Sequence, residues 1–139
     1  MAHQEKNIKV LLALFPLETH SRGIITVASM LRDAGMEVVL LGNALSERII
    51  GAAIQESADV VGISTYCGGE LALGRDLLKA AEKAGIKETT IFLLGGIFPP
   101  KNELKLKQMG FSAIFPPSAT RKEIVSSIEN ALATKQKNR

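Results

Sequence analysis

Ile8-Lys9-Val10-Leu11-Leu12-Ala13-Leu14 decides the fold. Apart from Lys9 the run is apolar throughout, with β-branched members, as in a strand buried on both faces. Such strands belong to parallel sheets covered by helices, so strand and helix patterns should alternate along the chain. They do. After Leu17–Gly23, the residues Ile24, Val27, Ala28 and Leu31 recur at helical spacing, and Gly35 closes that helix. Glu37–Leu41 reads as a second strand, ended by Gly42-Asn43. The next helix carries Ile49, Ile50, Ala53 and Ile54 on one face, with Ser46 as its N-cap. Asp59–Ser64 is a third strand, and Glu70–Ala84 a helix with Leu71, Leu77, Leu78 and Ala81 inward, stopped at Gly85. Thr90–Leu94, a short helix over Asn102–Met109 and the strand Ser112–Phe115 follow. Thr120 and Glu123 open the last helix as a capping box, and Ile124, Val125, Ile128 and Leu132 form its buried stripe.

Five strands alternating with five helices through short turns imply the α/β class. The specific expectation is a flavodoxin-like (Rossmann-like), doubly wound five-stranded parallel sheet, order 2-1-3-4-5, with helices on both faces. The 139 residues suit a single domain over 1–139, with 1–7 and 135–139 as flexible ends. The formal net charge is +3, and Lys135, Lys137 and Arg139 account for all of it, which argues against nucleic acid as a partner. A single cysteine, Cys67, excludes an internal disulfide and any multi-cysteine metal site. No stretch approaches a membrane span and Met1–Asn7 is polar, so no membrane association and a cytoplasmic location are expected. His3, in that polar terminus, reads as inert.

In this strand order ligands bind beyond the carboxyl ends of the strands, where strands one and three diverge. The loops there are Phe15–Gly23 and Thr65–Gly69, and Gly95-Gly96 ends the fourth strand on the same edge. Glu18 and His20 stand two residues apart, so in extended chain both side chains project to one side. A carboxylate on one imidazole nitrogen leaves the other free as a ligand or base. Alone, His20 is an ordinary loop histidine, and Glu18 and Ser21 are ordinary companions of a helix N-terminus. A hydrolase would need a nucleophile elbow, which is missing; a phosphoreceiver would need an acidic residue where Ser64 stands.

Taken together, Glu18-x-His20-x-x-Gly23, Ser64-x-Tyr66 and Gly95-Gly96 resemble the Asp-x-His-x-x-Gly, Ser-x-Leu and Gly-Gly of cobalamin-binding domains that bind the cofactor base-off and His-on. The likeness runs along the whole chain and is greatest to the cobalamin-binding small subunits or domains of methylmalonyl-CoA mutases and related acyl-CoA mutases. Leu31-Arg32-Asp33-Ala34-Gly35-Met36-Glu37-Val38 and Asp59-Val60-Val61-Gly62-Ile63-Ser64 add to it. The resemblance implies His20 as lower axial ligand of cobalt, Glu18 on its other nitrogen and Ser64 on the displaced nucleotide base. It implies that Thr19, Ser21, Arg22, Gly23, Tyr66, Gly68, Gly69, Gly95 and Gly96 complete the cofactor site. The implied cofactor is adenosylcobalamin, with no catalytic residue in this subunit alone. The implied partner is a large mutase subunit whose (β/α)8 TIM barrel binds an acyl-CoA.

Several positions depart from the family pattern. Glu18 replaces the usual Asp, Leu14 a common lysine, Pro16 and Thr19 frequent glycines, and Tyr66 the usual leucine. Two further readings stay open: a corrinoid protein of a methyltransferase system, and a non-catalytic cobalamin-sensing or interaction module. The first often has a preceding helical module and a Gly-Lys-Asn run after the motif, whereas Gly23 is followed here by Ile24-Ile25.

Overall fold

The computed structural model describes residues 7–66 and 68–137; Cys67, His3 and the extreme ends lie outside them. Strands β1 (Lys9–Leu14), β2 (Glu37–Asn43), β3 (Val60–Ser64), β4 (Ile91–Gly95) and β5 (Ala113–Phe115) form one parallel sheet in the order β2-β1-β3-β4-β5. Helices α1 (Arg22–Asp33), α2 (Ser46–Gln55), α3 (Glu70–Lys83), α4 (Pro100–Met109) and α5 (Arg121–Lys137) connect or follow them. This is the expected flavodoxin-like topology. Residues of α2, α3 and α4 cover one face, and residues of α1 and α5 cover the other.

Most differences from the sequence reading lie at element ends, each with a local cause. The Asp59 carboxylate accepts the Lys9 backbone N–H at 2.9 Å, so Asp59 brackets the sheet edge and β3 starts at Val60. Ser46 does not cap α2; it is the first helical residue, and Leu45 precedes it in extended conformation. Pro100 opens α4, where its missing N–H would be unpaired in any case. Among the described residues α5 runs to Lys137, and Lys135 Nζ donates to the Lys87 carbonyl at 3.0 Å. The capping box holds, with Thr120 N–H donating to Glu123 Oε1 at 3.0 Å and Glu123 N–H to Thr120 Oγ1 at 3.2 Å.

Parallel register fixes what each face offers. Toward α2, α3 and α4 the cross-strand rows are Leu11–Val61–Phe92 and Ala13–Ile63–Leu94–Ile114. Large side chains run to the carboxyl end, where Phe15 and Phe98 join the same cluster; Phe111, just before β5, closes it at the other end. Toward α1 and α5 the first row, Val10–Val60–Ile91, is equally bulky. The next rows are Leu12–Gly62–Leu93 and Leu14–Ser64–Gly95. Two glycines and a serine thus stand where branched side chains would otherwise fill the layer.

Candidate functional site

A cavity of about 740 Å³ opens over those short side chains. Gly62, Ser64 and Gly95 line it together with Leu12 and Leu93 from the sheet, Ile24, Val27, Met30 and Leu31 from α1, and Ile124 from α5. Its mouth carries Thr19, His20, Ser21, Arg22, Gly23 and Tyr66. The depth is apolar save for Ser64, a buried residue on its wall. The buried hydroxyl without a hydrogen-bond partner among the described residues is that of Thr65, the next residue, which does not line the cavity.

The loop over the mouth begins as a tight turn. Glu18 N–H donates to the Phe15 carbonyl at 3.2 Å, with Pro16 and Leu17 between them and Leu17 at φ 68°. That is a type II arrangement whose third position favours glycine; a leucine there carries strain of order 1–3 kcal/mol. Asn43, the last residue of β2, spans the turn: its Nδ2 donates to the Phe15 carbonyl at 3.0 Å and to the Glu18 carbonyl at 2.8 Å.

From this turn the Glu18 side chain goes inward and is buried. Oε2 lies 2.6 Å from His20 Nδ1 and accepts the His20 backbone N–H at 3.1 Å; Oε1 accepts the Tyr66 backbone N–H from the β3 loop. The carboxylate therefore ties the loops after β1 and β3 together. The methylene by which Glu exceeds Asp is absorbed in that reach. In a neutral imidazole that donates Nδ1–H to the carboxylate, the lone pair is on Nε2. The His20 side chain is 65% exposed, so Nε2 is accessible to a ligand. The Tyr66 ring leans on the imidazole, centroids 5.7 Å apart and planes at 58°. Burial first, and the Glu18 carboxylate second, push the Tyr66 phenol above its ordinary pKa.

Of the residues singled out from sequence, Glu18 and His20 form one unit, with Tyr66 against it, beside a cavity bordered by Thr19, Ser21, Arg22, Gly23, Ser64 and Gly95. Gly68, Gly69 and Gly96 are not among its lining residues. A Cβ on Gly96 would come within 2.3 Å of the Thr65 carbonyl and 2.5 Å of Phe98 Cζ, so glycine there answers to packing. Gly68-Gly69 form the turn into α3. Ser21 sits at the N-cap of α1 without a side-chain capping bond. Sequence reasoning missed Gly62, whose signal was a glycine inside a buried strand. It also missed Asn43, read only as a turn marker.

Among the described residues no three His, Cys, Asp or Glu side chains gather to hold a bare metal ion. The geometry instead offers one imidazole beside a large apolar cavity, which suits a metal that brings its own equatorial ligands. Residues 8–125 match the B12 binding domain family. The chain belongs to that family.

This B12-binding domain is 32% identical over 129 residues to the 2-hydroxyisobutanoyl-CoA mutase small subunit of Aquincola tertiaricarbonis, covering 92% of this chain and 94% of that one. To the pivalyl-CoA mutase small subunit of Xanthobacter autotrophicus it is 34% identical over 122 residues, covering 87% and 81%. In structure it is similar to a cobalamin-binding protein from Desulfitobacterium hafniense, with a TM-score of 0.77, 21% identity and coverage of 90% and 59%, a likeness of fold. No helix among the described residues is long and apolar enough to cross a membrane.

Proposed function

We propose that this chain is the cobalamin-binding small subunit of an adenosylcobalamin-dependent carbon-skeleton mutase acting on an acyl-CoA. The observation that carries the reading is the Glu18–His20 pair, its exposed imidazole standing beside an apolar cavity that Ser64 borders. His20 Nε2 would be the residue atom that ligates cobalt, with Glu18 holding the ring in place. The cavity would house the nucleotide tail of the cofactor, with Ser64 as a polar contact and Gly62 and Gly95 leaving room against the sheet. When bound, adenosylcobalamin supplies a carbon-centred radical for the rearrangement.

The substrate site lies in a second, larger subunit with a (β/α)8 barrel, and this chain alone is inactive. Both small-subunit relatives support that division, being matched over at least 81% of their length by this single domain. The rim around His20 adds support. Leu17, Leu45 and Ile97 are 90%, 70% and 72% exposed, each on a loop at the carboxyl edge of the sheet. Exposed apolar side chains on that edge would be covered by such a partner.

The test is the ultraviolet–visible spectrum of the protein with hydroxocobalamin, beside His20→Ala, each with and without the large subunit. The expected result is a retained corrin with its dimethylbenzimidazole displaced and imidazole coordination that His20→Ala abolishes. Failure to retain corrin even with the large subunit present overturns the reading.

A further inference from the structure

We infer that Asn43, on the edge strand and outside the cavity, is a positioning residue. It clamps the strained Phe15–Glu18 turn and so fixes how the Glu18–His20 pair is presented. Its carboxamide has two N–H bonds, and Nδ2 donates to both ends of the turn, the Phe15 and Glu18 carbonyls. Two carbonyl acceptors leave no ambiguity over which end of the amide faces them. The turn needs an outside restraint because Leu17 occupies its φ 68° position, where leucine is disfavoured.

Strand β2 is built to deliver that restraint. Its register against β1 slips between Leu12–Leu40 and Ala13–Gly42, leaving Leu41 as an extra residue. Gly42, at φ 87°, takes up the distortion, and Asn43 comes into register with Leu14, the residue before the turn. Bulges in parallel pairs are rare and recur beside functional sites, where they re-aim a side chain. Asn43 is not among the residues lining the cavity, so it acts through Glu18, whose carboxylate holds both His20 and the Tyr66 N–H.

The decisive readout needs no cofactor: the hydrogen-exchange protection of the Tyr66 amide in the isolated protein, compared with the core amides of Val61 and Phe92. In Asn43→Leu, Tyr66 protection should fall at least ten-fold while the core amides are unchanged. Leu17→Gly in the same background should restore most of it, because glycine adopts the turn without strain. Unchanged Tyr66 protection in Asn43→Leu overturns the inference. So does a loss that Leu17→Gly leaves unrescued, which a general weakening of β2 would give. Should Asn43→Leu not fold, Asn43→Asp removes both donors at nearly constant shape, and the same two outcomes decide. Resting on the proposed function, hydroxocobalamin affinity should follow, falling at least ten-fold in Asn43→Leu and recovering in the double variant. Wild-type protein that binds no corrinoid would sink that function, and the amide result would still stand by itself.

Discussion

The two faces of the sheet share every strand yet end differently. Toward α2, α3 and α4, branched and aromatic side chains continue to the carboxyl edge, from Leu11–Val61–Phe92 to Ala13–Ile63–Leu94–Ile114. Toward α1 and α5 the layer thins after Val10–Val60–Ile91, because the next positions on β3 are Gly62 and Ser64 and β4 ends at Gly95. The closed face supplies stability, and the open one supplies about 740 Å³ of space beside His20. A few small residues on two central strands thus make a binding face out of a layer that would otherwise be core.

The strongest way to break this contrast is to fill the gap. A Cβ on Gly62 would lie 2.8 Å from Leu12 Cδ2, the movable end of a side chain, so Gly62→Leu should be accommodated by Leu12 shifting into the cavity. Hydroxocobalamin affinity should then fall at least ~100-fold, two decades being about 2.8 kcal/mol, with a near-native melting temperature. Undiminished affinity would mean that the cavity does not receive the nucleotide tail.

A second test uses neighbours of one residue type on one strand. Leu93 and Leu94 both border the cavity, but the Leu94 side chain packs fully buried in the cluster under α2, α3 and α4, whereas Leu93 belongs to the layer under α1 and α5. In urea unfolding Leu94→Ala should cost about 4 kcal/mol and Leu93→Ala about 2 kcal/mol, because a truncation beside existing space loses fewer contacts. Equal losses would mean the two faces are packed alike.

The smallest effect sharpens the picture of the cavity mouth. Tyr66 is the chain's one tyrosine and there is no tryptophan, so its ionisation is read directly from absorbance near the phenolate band. Burial and then the Glu18 carboxylate raise its pKa, so the folded state holds the phenolic proton more tightly than the unfolded chain. The stabilisation is complete below the unfolded phenol pKa and is lost as pH rises through the folded one. Glu18→Gln should lower the titration midpoint only in part, since burial is the larger cause. A midpoint at the ordinary phenol value would mean an open, wet mouth.

Much of this was legible before folding. Buried-strand runs such as Val10–Leu14 and Val60–Ser64, and helical stripes such as Ile24–Leu31, identified the elements because periodicity is local. The Glu18–His20 contact was legible for the same reason, two residues in extended chain lying on one side. What stayed hidden depends on partners far away in sequence. The reach of Glu18 to Tyr66 spans 48 residues and that of Asn43 to Phe15 spans 28, and neither leaves a mark on its own segment.

Short-range pattern and motif specify the alternation of strand and helix, the flavodoxin-like order, the family and the pairing of an imidazole with a carboxylate. Long-range packing sets which glycines border the cavity, with Gly62 on its wall and Gly96 serving packing, and the bulge in β2 that brings Asn43 to the turn. Cross-strand register sets those outcomes. A shift of one residue exchanges the two faces of a strand, and no local pattern records it.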